Sequence, residues 1–407
     1  MYMNRKLIRW EKTVWPSITY ETCAWDRDHE ELVLIPKSRR RKILPTYEAA
    51  VPAKIAQLTV SLPPELQRRL TEIETTVARF DETQSARDWN LPALLLRSES
   101  SSSSQIERLT SSVRNVALAE LSDKAPANAL LIAGNVAAMR EALQQDGPIS
   151  IDSICSIHDT LIAETVERKG LRDEQVWIGG TPYSPHGALF VPPHADRVSG
   201  CLDDLIAFGE REDVPSVAKA AIFHAQFETI HPFTDGNGRT GRTLVHRMLA
   251  NDEALMHSTL PVSAGLLHNV EQYMKALDAY HTGEIEQIIC CFADALELAV
   301  VIGSRIATDV DTVLNEWHIT NTDRAGSASH DLPALLVEQP VINTAYVAER
   351  LGITDRAART LVETACERGI LSKMGNAKRG AFYQADELIG ILEEASSLQG
   401  IRRIAAR

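Results

Sequence analysis

The stretch that decides the fold is "HPFTDGNGRTGR", residues 231–242, read together with the segments on its two sides. Residues 216–230, "SVAKAAIFHAQFETI", carry apolar residues at helical spacing, and residues 243–250, "TLVHRMLA", resume that spacing. The twelve residues are therefore predicted to form a tight loop between two helices, with the N-terminus of the second helix directly after the loop.

The loop combines the residue types that a phosphate and its metal ion require. Gly236 and Gly238 permit positive φ angles and a close backbone approach to a ligand, and the N–H groups at a helix start bind anions. Arg239 and Arg242 add guanidinium groups suited to phosphate oxygens. Asp235 offers the oxygen ligand that a phosphate-bound Mg²⁺ prefers. These residues together favour a site for phosphate and magnesium.

His231, at the entrance of the loop, is the candidate base. The ordinary histidine pKa of about 6.5 lets an imidazole take a proton from a hydroxyl near neutral pH, so a base beside a bound phosphate predicts group transfer. Gly-Asn-Gly loops also occur as plain turns, but the joint presence of a base, a metal ligand and two arginines favours a functional site. A zinc site is excluded because His224 and His231 stand seven residues apart with no third ligand nearby.

Composition indicates an ordinary soluble protein. The chain has 407 residues, 44% of them apolar, and a net charge of −13, which argues against wholesale attraction to nucleic acid or anionic membrane. The six cysteines show no CxxC spacing, which fits reduced thiols. The N-terminus lacks the apolar core of a signal peptide, and no run reaches the ~18 apolar residues of a membrane span. We therefore expect a cytoplasmic protein without a membrane span.

Helical patterns dominate the chain from Tyr47 to about residue 318, and a stretch rich in glycine, proline and histidine at 177–194 interrupts them. The predicted fold class is mainly α, an α-helical domain with one non-helical insertion. Residues 1–44 contain two β-like runs, "SITYETCAW" and "ELVLIP", and receive no functional assignment.

A serine run, "SESSSSSQIERL" at residues 98–109, is typical of a flexible linker, but its continuation argues against one. Apolar residues at spacings of three and four run from Ile106 to Val116, so a helix is predicted to begin within the serines, which are good N-caps. On that helix Ser103 and Glu107 would share a face. A solvated surface glutamate remains the alternative.

The C-terminal part is predicted to be a small separate domain. Residues 319–331 are polar and small and indicate a linker, and residues 344–383 show two helices joined by a turn and then two short strands around "GNAKRG". This pattern is typical of a winged helix-turn-helix. The same forty residues hold seven Lys/Arg against four acidic residues, so DNA binding and protein contacts both remain open.

The loop matches the signature of the Fic family, HPFxDGNGRxxR, at every fixed position. Residues 176–198 resemble the Fic flap, and "SSSQIER" resembles the family's inhibitory motif, [S/T]xxxE[G/N]. The resemblance implies a Fic-type helical core with a β-hairpin flap and a C-terminal winged helix-turn-helix domain. The predicted divisions are an N-terminal extension (1–44), a helical region with the inhibitory helix (45–125), a catalytic core (126–318), a linker (319–331) and the winged-helix domain (332–407).

The resemblance also implies an activity, protein adenylyltransfer. His231 would deprotonate a Ser, Thr or Tyr hydroxyl of a target protein, which attacks the α-phosphate of ATP, so that AMP is transferred and pyrophosphate leaves. Asp235 would bind Mg²⁺. The residues that would hold the phosphates are Gly236, Asn237, Gly238, Arg239 and Arg242. The flap residues that would align an extended target segment are Gly179, Gly180, Thr181 and Ala188.

The inhibitory motif implies regulation within the chain. Glu107, with Ser103 four residues before it, would pair with Arg242 and block productive seating of the γ-phosphate, so the isolated enzyme should be restrained. Arg108 stands where relatives carry Gly or Asn, a departure that bears on the strength of inhibition. A glutamate placed there could also position water for the removal of AMP.

Several alternatives stay open at this point. A rough alignment puts Tyr280 or His281 near the adenine, so another nucleotide or phosphate-containing donor remains an alternative to ATP. A DNA-binding regulator with a nucleotide-sensing Fic domain is another. The expected partners are a target protein carrying the acceptor hydroxyl, the chain itself through self-modification, and a second copy in a homodimer.

Overall fold

The structure is a computed structural model, which describes residues 14–25, 40–145, 147–163, 165, 168–375 and 380–406. The run "ELVLIP" and residues 376–379, which include two of the basic residues counted above, lie outside the described part. The helices of the first part are α1 Pro64–Ser85, α2 Leu91–Ile106, α3 Val113–Ala119, α4 Ala127–Gln144, α5 Ile151–Leu161, α6 Val198–Gly209, α7 Ser216–Ile230, α8 Asn237–Asn251, α9 Val262–His268, α10 Val270–His281 and α11 Ile285–Thr320. The later helices are α12 Leu332–Glu338, α13 Thr344–Leu351, α14 Asp355–Glu367, α15 Asp386–Ser396 and α16 Leu398–Ala405.

The described strands are short and form two small antiparallel sheets. Helices make up most of the described chain, so the fold is mainly α, as predicted. Strands β1 (Thr19–Ala24) and β2 (Thr46–Val51) pair with each other. Strands β3 (Val341–Asn343), β4 (Ser372–Met374) and β5 (Phe382–Gln384) form a second sheet in the order β3-β5-β4. No described helix combines the length and the apolar character needed to cross a lipid bilayer.

Helices α7 and α8 lie at the centre of the fold, and their sequences explain why. Thirteen of the fifteen residues of α7 are buried, because its small and aromatic side chains allow neighbours to pack on every face. Helix α8 packs against α7, α4 and α5, and the 36-residue helix α11 runs along α7, α9 and α10. This packing holds the loop between α7 and α8 on rigid supports.

The serine-rich helix differs from the prediction. Helix α2 begins at Leu91, well before the serines, because the Asn90 side chain accepts a hydrogen bond from the Ala93 N–H and Pro92 suits the first turn. It ends at Ile106, and Arg108 takes a left-handed φ of 62° that stops the helix. The prediction of a helix that begins within the serines and continues to Val116 was therefore wrong. A separate helix, α3, carries Val113 and Val116.

The segment predicted as a winged helix contains the helix pair α13 and α14, joined by a turn at Gly352, and then the strands β4 and β5. Thr354 caps α14 by accepting from the Ala357 N–H. The residues predicted as a linker begin inside α11, and Asp323 beyond that helix accepts a 2.7 Å hydrogen bond from Arg368. The winged-helix assignment and the domain boundaries stay predictions.

Helix α2 is enclosed on two sides. It packs against α9, α4 and α8 on one side and against α12 and α15 on the other. Every residue from Ser98 to Ser104 is buried, which the small serine side chain allows at close helix approach. The serine run is therefore an interior helix that joins the central helices to the C-terminal ones.

Glu99, in the middle of α2, is the buried polar anchor of this helix. Its Oε2 accepts a 2.7 Å hydrogen bond from the Ser263 N–H, and its Oε1 accepts from the Ser263 hydroxyl. His246 Nε2 lies 3.0 Å from Oε1, and the side chains of Glu99 and His246 are each 1% exposed. These contacts tie α2 to both α8 and α9.

Replacing Glu99 with alanine leaves the two Ser263 donors without a partner in the core. We expect the free energy of unfolding to fall by about 2–4 kcal/mol, measured by urea denaturation at pH 7. Glu72→Ala is the control, because Glu72 is 72% exposed and pairs with Arg68 only at 3.9 Å. The control should change stability by less than about 0.5 kcal/mol, and equal losses in both variants would contradict an anchoring role for Glu99.

Candidate active site

His231 terminates α7 in a conformation that few residues adopt. Its φ of 51° is left-handed, and its N–H donates to the Phe227 carbonyl at 2.9 Å. The Arg172 Nε donates to the His231 carbonyl at 2.8 Å and holds the peptide in place. The left-handed conformation at His231 therefore ends helix α7 and begins the loop.

The surroundings of the His231 ring suit a base. The Nδ1 atom lies 3.3 Å from the Glu228 carbonyl oxygen, which assigns the ring proton to Nδ1 and leaves the Nε2 lone pair for a substrate. Burial, and after it the positive charge of Arg172, lowers the pKa of His231 to about 4. The imidazole is therefore neutral at physiological pH.

Asn237 braces the loop between the two helices. Its Oδ1 accepts from the Phe233 N–H and its Nδ2 donates to the Phe233 carbonyl, both at 2.9 Å. The Phe233 ring stacks on His158 at 3.6 Å between ring centroids, and His158 Nε2 lies 3.0 Å from the Asp235 carbonyl. Both polar atoms of the Asn237 side chain are thus bonded to the main chain of the loop. Asn237 can therefore contact an anion only through its own main chain.

The N-terminus of α8 opens onto this loop. Gly236 precedes the helix with a φ of 76°, a conformation that glycine adopts without strain. The first N–H groups of any helix lack partners within the helix. In α8 these free N–H groups belong to Asn237, Gly238 and Arg239, and such groups bind anions. A Cβ on Gly238 would lie 2.1 Å from the Glu107 Oε1, so the absence of a side chain lets a carboxylate approach this turn.

Arg239 has donors that lack a protein partner. Its side chain is 4% exposed, and its Nη2 lies 3.3 Å from the Asp235 Oδ2. Among the residues that the structure describes, its buried Nε and Nη1 atoms have no hydrogen-bond partner. A buried guanidinium with two unpaired donors beside a helix N-terminus fits a bound anion such as a phosphate.

The residues also fit a metal ion that binds together with phosphate. Asp235 has a side chain 57% exposed at the rim of the loop. No group of three His, Cys, Asp or Glu side chains in the described part of the chain could hold a metal by itself. Mg²⁺ usually takes one or two carboxylates and fills its other positions with phosphate oxygens and water, so one aspartate is sufficient.

Arg242 joins the loop to the end of α2. Its Nε donates to the Ser103 hydroxyl at 2.9 Å, and its Nη2 donates to the Ser103 carbonyl at 3.0 Å and to the Glu107 Oε1 at 2.9 Å. Burial opposes the ionisation of Glu107, but the Arg242 guanidinium outweighs it and holds the pKa of Glu107 below its ordinary value. Glu107 therefore lies over Gly238 as a carboxylate, in the space of an anion.

Sequence reasoning missed two charged residues near the base. Arg172 is buried, and besides His231 it donates to the carbonyls of Glu174 and Pro193. Glu228, three residues before His231, is largely buried, and burial raises its pKa to about 8. A glutamate inside the apolar pattern of α7 was the available signal for Glu228, whereas Arg172 stands in no motif.

The segment predicted as the flap is a short irregular loop with two isolated antiparallel bridges, Ile178 with Phe190 and Thr181 with Ser184. Gly179 and Gly180 take φ angles of 74° and 75°. A Cβ on Gly180 would lie 2.9 Å from the Gly187 carbonyl, next to Ala188, so the two limbs of the flap touch. Leu189 is 86% exposed and could contact a partner.

Tyr280 and His281, the residues predicted near the adenine, both have side-chain partners within the protein. The Tyr280 hydroxyl donates to Gln226 at 2.8 Å in the core. The His281 ring stacks on Phe190 at 4.5 Å, and its Nε2 lies 3.1 Å from the Thr229 hydroxyl. His281 therefore supports the base of the flap.

Comparison with known proteins agrees with this geometry. Residues 148–249 match the Fic/DOC family. A protein adenylyltransferase of Caenorhabditis elegans, fic-1, is 28% identical over 193 residues, which cover 46% of this chain and 35% of that protein. A probable protein adenylyltransferase of Aquifex aeolicus (strain VF5) is 34% identical over 121 residues, 29% of this chain and 32% of that protein. The chain thus spans about a third of the length of these relatives.

A solved structure shows the same fold over most of the chain. The crystal structure of a Fic family protein from Desulfovibrio desulfuricans G20 aligns with 81% of this chain and 98% of its own, with a TM-score of 0.53 and 21% sequence identity. The family match covers α7, the loop and α8 as far as Leu249. This chain therefore carries a Fic domain in residues 148–249.

Proposed function

We propose that this protein is an adenylyltransferase that moves AMP from ATP to a Ser, Thr or Tyr hydroxyl of a target protein. One observation carries the proposal: a neutral histidine stands at the start of a loop whose other end is a helix N-terminus, where the buried Arg239 guanidinium has two donors without a hydrogen-bond partner among the described residues. A base and an anion site on one twelve-residue loop suit attack of a hydroxyl on a phosphate. The two relatives named above as protein adenylyltransferases support the same activity.

The phosphates of ATP would bind along the first turn of α8. The N–H groups of Asn237 and Gly238 point out of the helix start, and the Arg239 Nε and Nη1 supply two further donors. Bound Mg²⁺ would neutralise charge on the phosphates, and Asp235 is the residue that would hold it. These groups favour the additional negative charge of the transition state.

The chemical step needs one proton transfer. The Nε2 of His231 takes the proton of the target hydroxyl, whose oxygen forms a bond to the α-phosphorus while the bond from that phosphorus to the pyrophosphate oxygen breaks. The imidazolium that forms keeps its Nδ1 proton on the Glu228 carbonyl. The flap, from Gly179 to Ala188, would align an extended target segment through its main chain.

Glu107 restrains this reaction in the resting protein. Its carboxylate occupies the space over Gly238, and it binds the Arg242 guanidinium that would otherwise meet the terminal phosphate. ATP can seat its phosphates only when this pair opens, so release of Glu107 controls activity. A carboxylate at this position also suits the activation of a water molecule for AMP removal, the reverse function of the same site.

Two alternatives keep the same fold. The loop residues suit the phosphates of any donor. Tyr280, predicted near the adenine, is bonded to Gln226 within the core. A different nucleotide or phosphate-containing donor would therefore use the same loop residues. A DNA-binding regulator is the other alternative, because Arg356 and Arg359 are exposed on α14. A labelled duplex retained at ~150 mM salt by the wild type, and lost with Arg356→Ala and Arg359→Ala together, would favour it.

Glu107→Gly should activate the protein, and His231→Ala should abolish transfer in that background. With α-labelled ATP and Mg²⁺, we expect Glu107→Gly to label itself or proteins of a lysate at least tenfold more than the wild type, since about 1.4 kcal/mol of restraint suffices. Loss of the base should reduce labelling about 10²–10⁴-fold. Label is measured on the protein and in the lysate by gel autoradiography.

Glu253→Gly is the control for the activating substitution, because Glu253 is exposed beyond the far end of α8. It should label like the wild type. Equal labelling by the wild type and Glu107→Gly would remove Glu107 from the inhibitory role, and strong labelling by Glu107→Gly with His231→Ala would remove His231 as the base.

The resting His231 ring should stay neutral well below neutral pH. Its pKa is lowered to about 4, so protonation begins only as the pH falls toward that value, and the base form is complete above about pH 6. In ¹³C-histidine-labelled protein, the Cε1–H resonance that disappears in His231→Ala should keep its shift from pH 8 to pH 6. A midpoint near 6.5, as in the urea-unfolded chain, would contradict the burial of the base.

A further inference from the structure

The C-terminal helices contact the inhibitory helix directly. Helix α15 ends at Ser396, and the Gln105 Nε2 donates to the Ser396 carbonyl at 2.7 Å. The Ser396 hydroxyl lies 3.4 Å from the Ser98 hydroxyl, within a buried contact. The end of α15 therefore touches α2 at Ser98 and again at Gln105, two residues before Glu107.

The contact with Gln105 satisfies a group that needs a partner. The last four carbonyls of a helix have no partner within it, and Ser396 supplies one of those carbonyls in α15. Ser396 is 3% exposed, so water is a poor substitute for the Gln105 amide. Separation of α15 from α2 would leave the Ser396 carbonyl without a hydrogen-bond partner. Because this loss is unfavourable, the contact holds the two helices together.

A second contact of the same kind holds the chain beyond Glu107. Gln339, directly after α12, donates from Nε2 to the Ala117 carbonyl near the end of α3, at 3.2 Å in a buried position. Strand β3 and helix α15 also pack on α3. The segment that carries Glu107 thus lies between two points, Gln105 and Ala117, that are both bonded to the C-terminal elements.

The opposite face of α2 holds the inhibitory contacts. Arg242 binds the Ser103 hydroxyl, the Ser103 carbonyl and the Glu107 carboxylate. Because α2 is one helix from Leu91 to Ile106, a movement of its C-terminal turn away from α8 breaks these contacts together. Packing by α12 and α15 opposes that movement.

We propose that helices α12 and α15 act as a clamp that presses α2 onto α8 and thereby keeps Glu107 on Arg242. Displacement of α15 from α2 then releases the glutamate and opens the phosphate site. This inference rests on the proposed function, because it names what controls the inhibition of that site. The clamp also gives the C-terminal elements a role that is independent of DNA.

Gln105→Ala tests the clamp, because it removes the bond to Ser396 and leaves Ser103, Glu107 and Arg242 in place. We expect labelling with α-labelled ATP to rise about fivefold to tenfold over the wild type, the effect of one lost buried hydrogen bond. In the Glu107→Gly background the same substitution should add nothing, because the restraint is already gone. The matched control is Gln272→Ala, at an exposed glutamine on α10.

A disulfide tests the same clamp in the opposite direction. Ser98→Cys with Ser396→Cys places two thiols where the hydroxyls now lie 3.4 Å apart, and oxidation would pin α15 to α2. In the Gln105→Ala background the oxidised protein should return to wild-type labelling, and dithiothreitol should restore the raised level. Oxidation of the parent protein, with its six free cysteines, controls for other thiol chemistry.

Hydrogen exchange of residues 103–112 supplies a readout that needs no transfer activity. Gln105→Ala should raise exchange in this segment severalfold, and oxidation of the engineered cysteines should lower it. Unchanged exchange, or unchanged labelling by Gln105→Ala when Glu107→Gly labels strongly, would overturn the clamp. If Glu107→Gly labels nothing, the proposed function fails, and exchange alone decides whether the clamp exists.

Discussion

The Arg242 guanidinium is the constraint on which the site depends. It is buried one turn inside α8, and a buried charge requires full partnership or it destabilises the fold. The chain supplies that partnership from α2, through Ser103 and Glu107, so the resting fold is completed by the same contacts that fill the anion space. The hydrogen bonds that satisfy the buried Arg242 guanidinium are therefore the same ones to which the proposed restraint is assigned.

The loop before Arg242 is shaped by two left-handed residues. Gly236 adopts this conformation freely, whereas His231 adopts it only because Phe227 and Arg172 hold its main chain from both sides. The turn at His231 ends α7, and the turn at Gly236 starts α8 five residues later. Backbone geometry thus places the proposed base and the proposed anion site within a few residues of each other.

The serine-rich helix explains how a distant part of the chain reaches this site. Ser98 to Ser104 carry side chains small enough for helices to pack closely on both faces, and Glu99 fixes one face through Ser263 and His246. The other face meets α12 and α15. A helix buried on both sides transmits displacement, because neither face can move without repacking the other.

The amino-acid sequence by itself determined the mainly α class, the Fic resemblance and the helices on either side of the loop, because apolar periodicity and glycine spacing are local properties. It predicted the wrong start and end for the serine helix, because Asn90 caps α2 well before the serines and Arg108 ends it soon after them. Only the tertiary structure decided that Glu107 lies over Gly238, that Arg172 holds His231, and that Ser396 meets Gln105. These pairs are separated by many residues, and burial and packing, which no local pattern encodes, bring them into contact.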